Sequence, residues 1–132
     1  MTARTQKNLM TAMHNEAFAY VKYSLFAEQA RKNANNELAE LFDKTANIER
    51  FEHLAEEAEL AGLVGSDTDN LADAIAGESY EVDSMYREFA EQAAADDDQA
   101  AAKRFAEIRE DETGHRDAFK AALIQLNIVE AR

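Results

Sequence analysis

Ala101-Ala-Lys-Arg-Phe105-Ala-Glu-Ile108-Arg-Glu-Asp-Glu112-Thr-Gly-His115-Arg-Asp-Ala-Phe119-Lys-Ala-Ala122-Leu-Ile-Gln-Leu126 is the stretch whose reading decides the fold. Ala101, Phe105, Ile108, Phe119, Ala122 and Leu126 step by four and three residues, which is the seam of a core-facing helix. Glu112 and His115 stand in the middle of that seam, where leucines would be expected. Two ionisable side chains are costly to bury unless something pairs with them. Three other helical stretches show the same intrusion, with Glu16, Glu49 and Glu78 on their inward faces. Four helices that each aim a carboxylate at one core predict a metal site filling it.

The composition agrees with long helices. The chain has 132 residues, no Pro and only four Gly, and it is rich in Ala, Leu, Glu and Gln, all good helix formers. No alternating run of β-branched residues argues for strands. This length predicts a single domain over residues 1–132, with room for a real core. The chain contains no Cys, which excludes disulfides, thiolate metal sites, a thiol nucleophile and an attached rubredoxin-type iron. The formal net charge of −13 argues against nucleic acid and anionic membrane as partners. No signal peptide or spanning segment is visible, so the expected location is the cytoplasm.

The periodicity predicts four helices. The first runs from about Thr5 to Lys32, with seam Leu9, Met13, Glu16, Tyr20, Tyr23, Ala27, Ala30. Asn33 to Asn36 break it. The second runs from about Glu37 to Ala61, with Gly62 as C-cap. The third runs from about Leu71 to Ala95, where Gly77 weakens or bends it, and the fourth ends near Leu126. The halves repeat: Phe26-Ala-Glu-Gln-Ala30 recurs as Phe89-Ala-Glu-Gln-Ala93. The same offset of 63 pairs Tyr23 with Tyr86, Phe42 with Phe105 and Glu49 with Glu112, while Glu16 falls one residue from Glu78. The fold class expected is all-α: a four-helix bundle of two helical hairpins related by a pseudo-twofold and joined by a crossover.

A carboxylate pair bridges two cations, and an imidazole three residues along the same helix face caps one of them. A Glu from each of two helices plus Glu-x-x-His from each of the other two is the ferritin-like di-iron pattern. Glu16 and Glu78 supply the first kind, and Glu112 with His115 the second. Oxygen-rich donors with a few imidazoles suit iron(II) or manganese(II). Each residue alone has a plainer explanation, since a lone seam Glu ordinarily sits at a bundle end or snorkels. The full set in mid-helix register is what argues for metal. The second helix departs from the pattern. Under the 63-residue offset the partner of His115 is Glu52, and His53 turns inward only if a local π-bulge rotates it, so Glu52 and His53 both remain candidates. Glu81, three residues after Glu78, is a further candidate ligand. Glu56, Glu57, Glu59, Glu107, Glu110 and His14 are assigned to solvent. Tyr23 and Tyr86 are placed symmetrically, where their hydroxyls would hydrogen-bond the ligands or the oxidant.

Asn8-Leu-Met-Thr-Ala-Met-His-Asn-Glu16, Ala74-Ile-Ala-Gly-Glu-Ser-Tyr-Glu-Val-Asp-Ser-Met-Tyr-Arg-Glu-Phe-Ala90 and Glu112-Thr-Gly-His115 resemble the di-iron domain of the rubrerythrin family, from about Gln6 to Leu123. The resemblance implies two iron ions held by Glu16, Glu49, Glu78, Glu81, Glu112 and His115, with Tyr23 and Tyr86 beside them. It implies reduction of hydrogen peroxide to water, protection from oxidative stress and a homodimer. Without Cys the electrons would come from a separate donor protein. Two departures are the Glu52 that stands for the family's second-helix His, and the missing rubredoxin domain. The other functions weighed are a ferroxidase or dioxygen-reacting di-iron protein, and a non-catalytic metal-binding bundle.

Overall fold

The computed structural model describes residues 1–132 and contains helices and turns but no strand. It divides into two compact units, Met1–Val64 and Gly65–Arg132, each a helical hairpin. No helix is long and apolar enough to cross a membrane.

In the first hairpin, α1 (Ala3–Lys32) packs against a second rod made of α2 (Asn36–Ile48), a π-helical turn (Glu49–His53) and α3 (Leu54–Ala61). The Thr2 side chain caps α1, and the Asn35 side chain caps α2. Between the rods the chain turns with Ala34 at φ 57°, and Asn35 N–H donates to the Ala30 carbonyl at 2.9 Å. This is the Schellman way of closing a helix end. Ala27, Ala30 and Ala39 are buried there, with Phe42 packed on them. Small residues let the two backbones approach closely at the turn. Gly62, at φ 65°, ends α3 in the left-handed conformation that glycine adopts without steric cost.

The second hairpin repeats the plan. A rod of α4 (Asp67–Tyr80), a π-helical turn (Glu81–Met85) and α5 (Tyr86–Ala95) packs against α6 (Gln99–Glu130). A Ser66–Asp69 capping box starts α4 four residues before the expected Leu71. The signal lies in the sequence, since Ser-x-x-Asp approximates the capping-box pattern. The turn at Asp96–Asp98 matches the first, with Asp97 at φ 61° and Asp98 N–H donating to the Ala93 carbonyl at 2.8 Å. Two arginines of α6 brace the π turn. Arg109 Nε donates to the Val82 carbonyl at 2.7 Å, and Arg116 pairs with Asp83 at 3.2 Å.

The two π turns explain the uneven repeat. A π turn fits one extra residue into a helix and leaves the residues beyond it in phase. Glu16 to Tyr23 is seven residues, whereas Glu78 to Tyr86 is eight, and the π turn Glu81–Met85 lies between the latter pair. Glu112 to His115 is three residues, whereas Glu49 to His53 is four, and the π turn Glu49–His53 spans that interval.

Candidate metal centre

Each hairpin gathers two carboxylates and one imidazole. Glu16 comes from α1, and Glu49 and His53 come from the two ends of the first π turn. Their ligand atoms lie within 4.8 Å of one another. His53 Nδ1 is 3.0 Å from Glu49 Oε2 and 3.6 Å from Glu16 Oε2. In the second hairpin Glu78 from α4 meets Glu112 and His115 from α6, again within 4.8 Å. His115 Nδ1 is 2.8 Å from Glu112 Oε2 and 3.8 Å from Glu78 Oε1. The two triads thus have nearly the same geometry, although their Glu–His spacings differ by one residue.

That geometry places His53, not Glu52, with Glu16 and Glu49. Glu52 is exposed and lines a shallow surface groove with Glu40, Lys44 and Phe51. Of the two candidates that the sequence leaves open, Glu52 and His53, it is His53 that the fold brings to Glu16 and Glu49. With the π turn holding one extra residue, the offset beyond it is 62, and His53 falls on His115. Glu57 moves with it. The sequence pattern assigns Glu57 to solvent, yet it is half-buried, its Oε2 is buried without a hydrogen-bond partner, and its charge acts on Glu16. The signal for it is its spacing of four from His53. Glu81 lies outside the second triad but is half-buried, and its charge raises the pKa of Glu78 and Tyr86. Val82 beside it is buried, whereas Tyr80 is 62% exposed. His14 is exposed, as expected.

The electrostatics are those of crowded donors. Glu16 holds its proton above the ordinary carboxylate range, first through its hydrogen bond with Glu49 and then through desolvation. Glu78 does the same, first through Glu112. Glu49 and Glu112 lie below that range, as the charged partners of those bonds and of the histidines. Two close carboxylates cannot both ionise freely, so one member of each pair gives up its proton less readily than the other. His53 and His115 are raised above the usual imidazole value, first by hydrogen bonds to Glu49 and Glu112. Glu78 Oε2 is buried with no hydrogen-bond partner. A buried carboxylate oxygen without a donor, beside a second carboxylate and an imidazole, fits a divalent cation that takes oxygen and nitrogen ligands.

Tyr23 and Tyr86 belong to matching aromatic clusters, one in each hairpin. Tyr23 stacks on Phe42 at 6.0 Å, and Phe26 meets Phe42 edge-on at 5.4 Å. Tyr86 lies 6.2 Å from Phe105, and Phe89 lies 5.7 Å from it. Burial, then the negative charge of Glu81, Glu112 and Glu78, raises the Tyr86 pKa. Its hydroxyl therefore stays protonated and available as a donor.

Residues 7–123 match the model of the rubrerythrin family. A rubrerythrin of Porphyromonas gingivalis is 32% identical over 133 residues, covering 92% of this chain and 66% of that protein. A rubrerythrin of Nitratidesulfovibrio vulgaris is 32% identical over 130 residues, covering 89% and 68%. A solved structure of nigerythrin in a mixed-valence state is 28% identical, covers 96% of this chain and 69% of its own, and aligns with a TM-score of 0.47. The chain therefore spans about two thirds of the length of these relatives.

Proposed function

The chain belongs to the rubrerythrin family, and from that premise we propose that its two Glu-Glu-His triads are the ligand sets of a di-iron protein that reduces hydrogen peroxide to water. The observation that carries the reading is the pair of matched triads, one in each hairpin. Two iron(II) ions, when bound, supply Lewis acidity and the two electrons that peroxide reduction requires. Glu49 and Glu112, lowered below the ordinary carboxylate range, are the members of each pair that ionise more readily. Glu16, Glu49 and His53 would hold a cation in the first hairpin, and Glu78, Glu112 and His115 would hold one in the second. A bound cation would compete with protons for Glu16 and Glu78, whose pKa values are raised.

Glu81 is the additional carboxylate, close enough to act electrostatically on both Glu78 and Tyr86. It either completes the coordination or holds a proton for the departing oxygen. Tyr86, whose pKa the Glu81 charge helps to raise, would supply a hydroxyl donor near that carboxylate, and Tyr23 is its counterpart in the first hairpin. Converting one peroxide to two waters consumes two protons and two electrons, and the electrons are restored by a separate donor protein. Manganese would fit the same oxygen-rich donors.

Anaerobic mixing of the iron(II)-loaded protein with peroxide, and in parallel with dioxygen, tests this. Peroxide is expected to oxidise the iron at least about 10-fold faster than dioxygen at equal concentration, a difference of about 1.4 kcal/mol in barrier. Faster oxidation by dioxygen would replace the reading with a ferroxidase-type one. Failure to retain iron would leave a structural bundle.

A further inference from the structure

The π turn Glu81–Met85 is tied down by arginine side chains. At its end the Tyr86 N–H reaches back five residues to the Glu81 carbonyl, so the ladder of bonds four residues apart is interrupted there. The next two carbonyls accept from guanidinium groups. Arg109 Nε of α6 donates to the Val82 carbonyl at 2.7 Å, and Arg87 Nε of α5 donates to the Asp83 carbonyl at 2.9 Å. Arg116 of α6 adds an ion pair to the Asp83 carboxylate at 3.2 Å. Val82 is buried and Arg109 half-buried. The bond between them is therefore shielded from water, where a carbonyl stripped of its donor is costly.

Arg109 also breaks the repeat. It lies three residues before Glu112, one step along the same helix face. In the first hairpin the residue three before Glu49 is Ala46, which is buried. The π turn Glu49–His53 has the same five-residue bond, from Leu54 N–H to the Glu49 carbonyl, but Ala46 has no side chain that could brace it.

Resting on the reading of Glu78, Glu112 and His115 as ligands of a cation, we propose that Arg109 is a positioning residue for that triad. α6 carries Glu112 and His115, while the facing rod carries Glu78, Glu81 and Tyr86. Arg109 joins the two at the carbonyl of the residue that follows Glu81, and so fixes where along the rod the extra residue is absorbed. With the π turn held at Glu81–Met85, Glu78 precedes it and meets Glu112 and His115, and Tyr86 follows it and lies against Phe105. A turn that slid past either residue would rotate that residue by about 100° relative to the other and break one of the two contacts. The guanidinium suits this task. It is planar and directional, and it stays charged at every pH at which the carboxylates and imidazole change state.

A matched pair of variants tests it. Arg109→Gln keeps an N–H donor at the same number of bonds from the backbone but loses the charge, and Arg109→Met keeps the length but loses the donor. Competition with a chelator measures iron(II) affinity, and hydrogen exchange follows the Tyr86 amide in the metal-free protein. Arg109→Met should hold one of the two ions about 10-fold or more weakly, the range for residues that orient metal ligands, with the other ion unchanged. It should also speed Tyr86 exchange about fivefold or more. Arg109→Gln should restore both to within about twofold of the parent, which a role through charge alone would not allow. A parent chain that loads iron while Arg109→Met behaves like it, or while the Gln variant is as damaged as the Met one, would overturn this role alone. A parent chain that holds no iron(II) would overturn the di-iron reading and this role with it. A second measurement needs no variant to fold. In the metal-free parent, corrected for intrinsic rates, the braced Tyr86 N–H should exchange about fivefold or more slowly than Leu54 N–H of the first π turn. Equal or faster exchange at Tyr86 would overturn the proposal.

Discussion

Replacing His53 by alanine is expected to weaken iron(II) binding at the first-hairpin end of the site by at least about 100-fold, because even outer partners of metal ligands are worth 10–100-fold. Glu52→Ala should change it by less than about twofold, within the ordinary range for an exposed side chain. The contrast stems from the π turn, which puts His53 Nδ1 3.0 Å from Glu49 and leaves Glu52 facing solvent. Competition against a chelator of known affinity measures both constants. If Glu52→Ala were the damaging change and His53→Ala the silent one, the placement of the second helix would be wrong.

The second large effect concerns pH, and its sign reverses with metal. His53, His115, Glu16 and Glu78 all bind protons more tightly in the fold than in free solution. A group whose folded pKa is raised stabilises the fold below its unfolded value, and that contribution is lost as pH rises through the folded pKa. For the histidines that window begins at about 6.5 and runs upward; for the two raised carboxylates it begins nearer the ordinary carboxylate value. Glu49 and Glu112 are lowered, so their contribution is lost only at more acid pH. The metal-free protein should therefore melt at a lower temperature at about pH 8 than at about pH 6. Iron binding needs those same protons removed. Below the histidine pKa, affinity should fall about 10-fold per pH unit for each histidine, or about 100-fold across a site with two. Melting curves with and without iron at the two pH values check this. A metal-free protein that becomes more stable as pH rises would contradict the assignment.

Much of this is legible in the residues. The seams of the four rods, the acids at Glu16, Glu49, Glu78 and Glu112, the Gly62 cap and the repeated aromatic positions all come from periodicity, because a helix fixes which residues share a face. What misleads is a constant offset. A single-residue insertion leaves the apolar pattern on both sides looking intact, so Glu52 inherits the place of His115 by counting, and Glu57 is read as solvent-facing. Only backbone hydrogen bonding shows where the extra residue is absorbed. The start of α4 escapes the pattern for a different reason. The apolar seam begins at Leu71, but the capping pair Ser66–Asp69 sets the boundary, and caps lie outside the hydrophobic period.

The π turns make helix length negotiable in two places and nowhere else along these rods. Deleting Glu52 leaves a Glu-x-x-His spacing like that of Glu112 and His115, and every later residue keeps its phase. The shortened rod should remain helical by circular dichroism and melt within a few degrees of the parent. The same deletion at Ala58 has no slack to draw on and rotates the remainder of α3 by about 100°, taking its packed face off α1. The chain thus carries its own tolerance map for indels: a length change is harmless where the helix already runs one residue long, and disruptive a single turn further on.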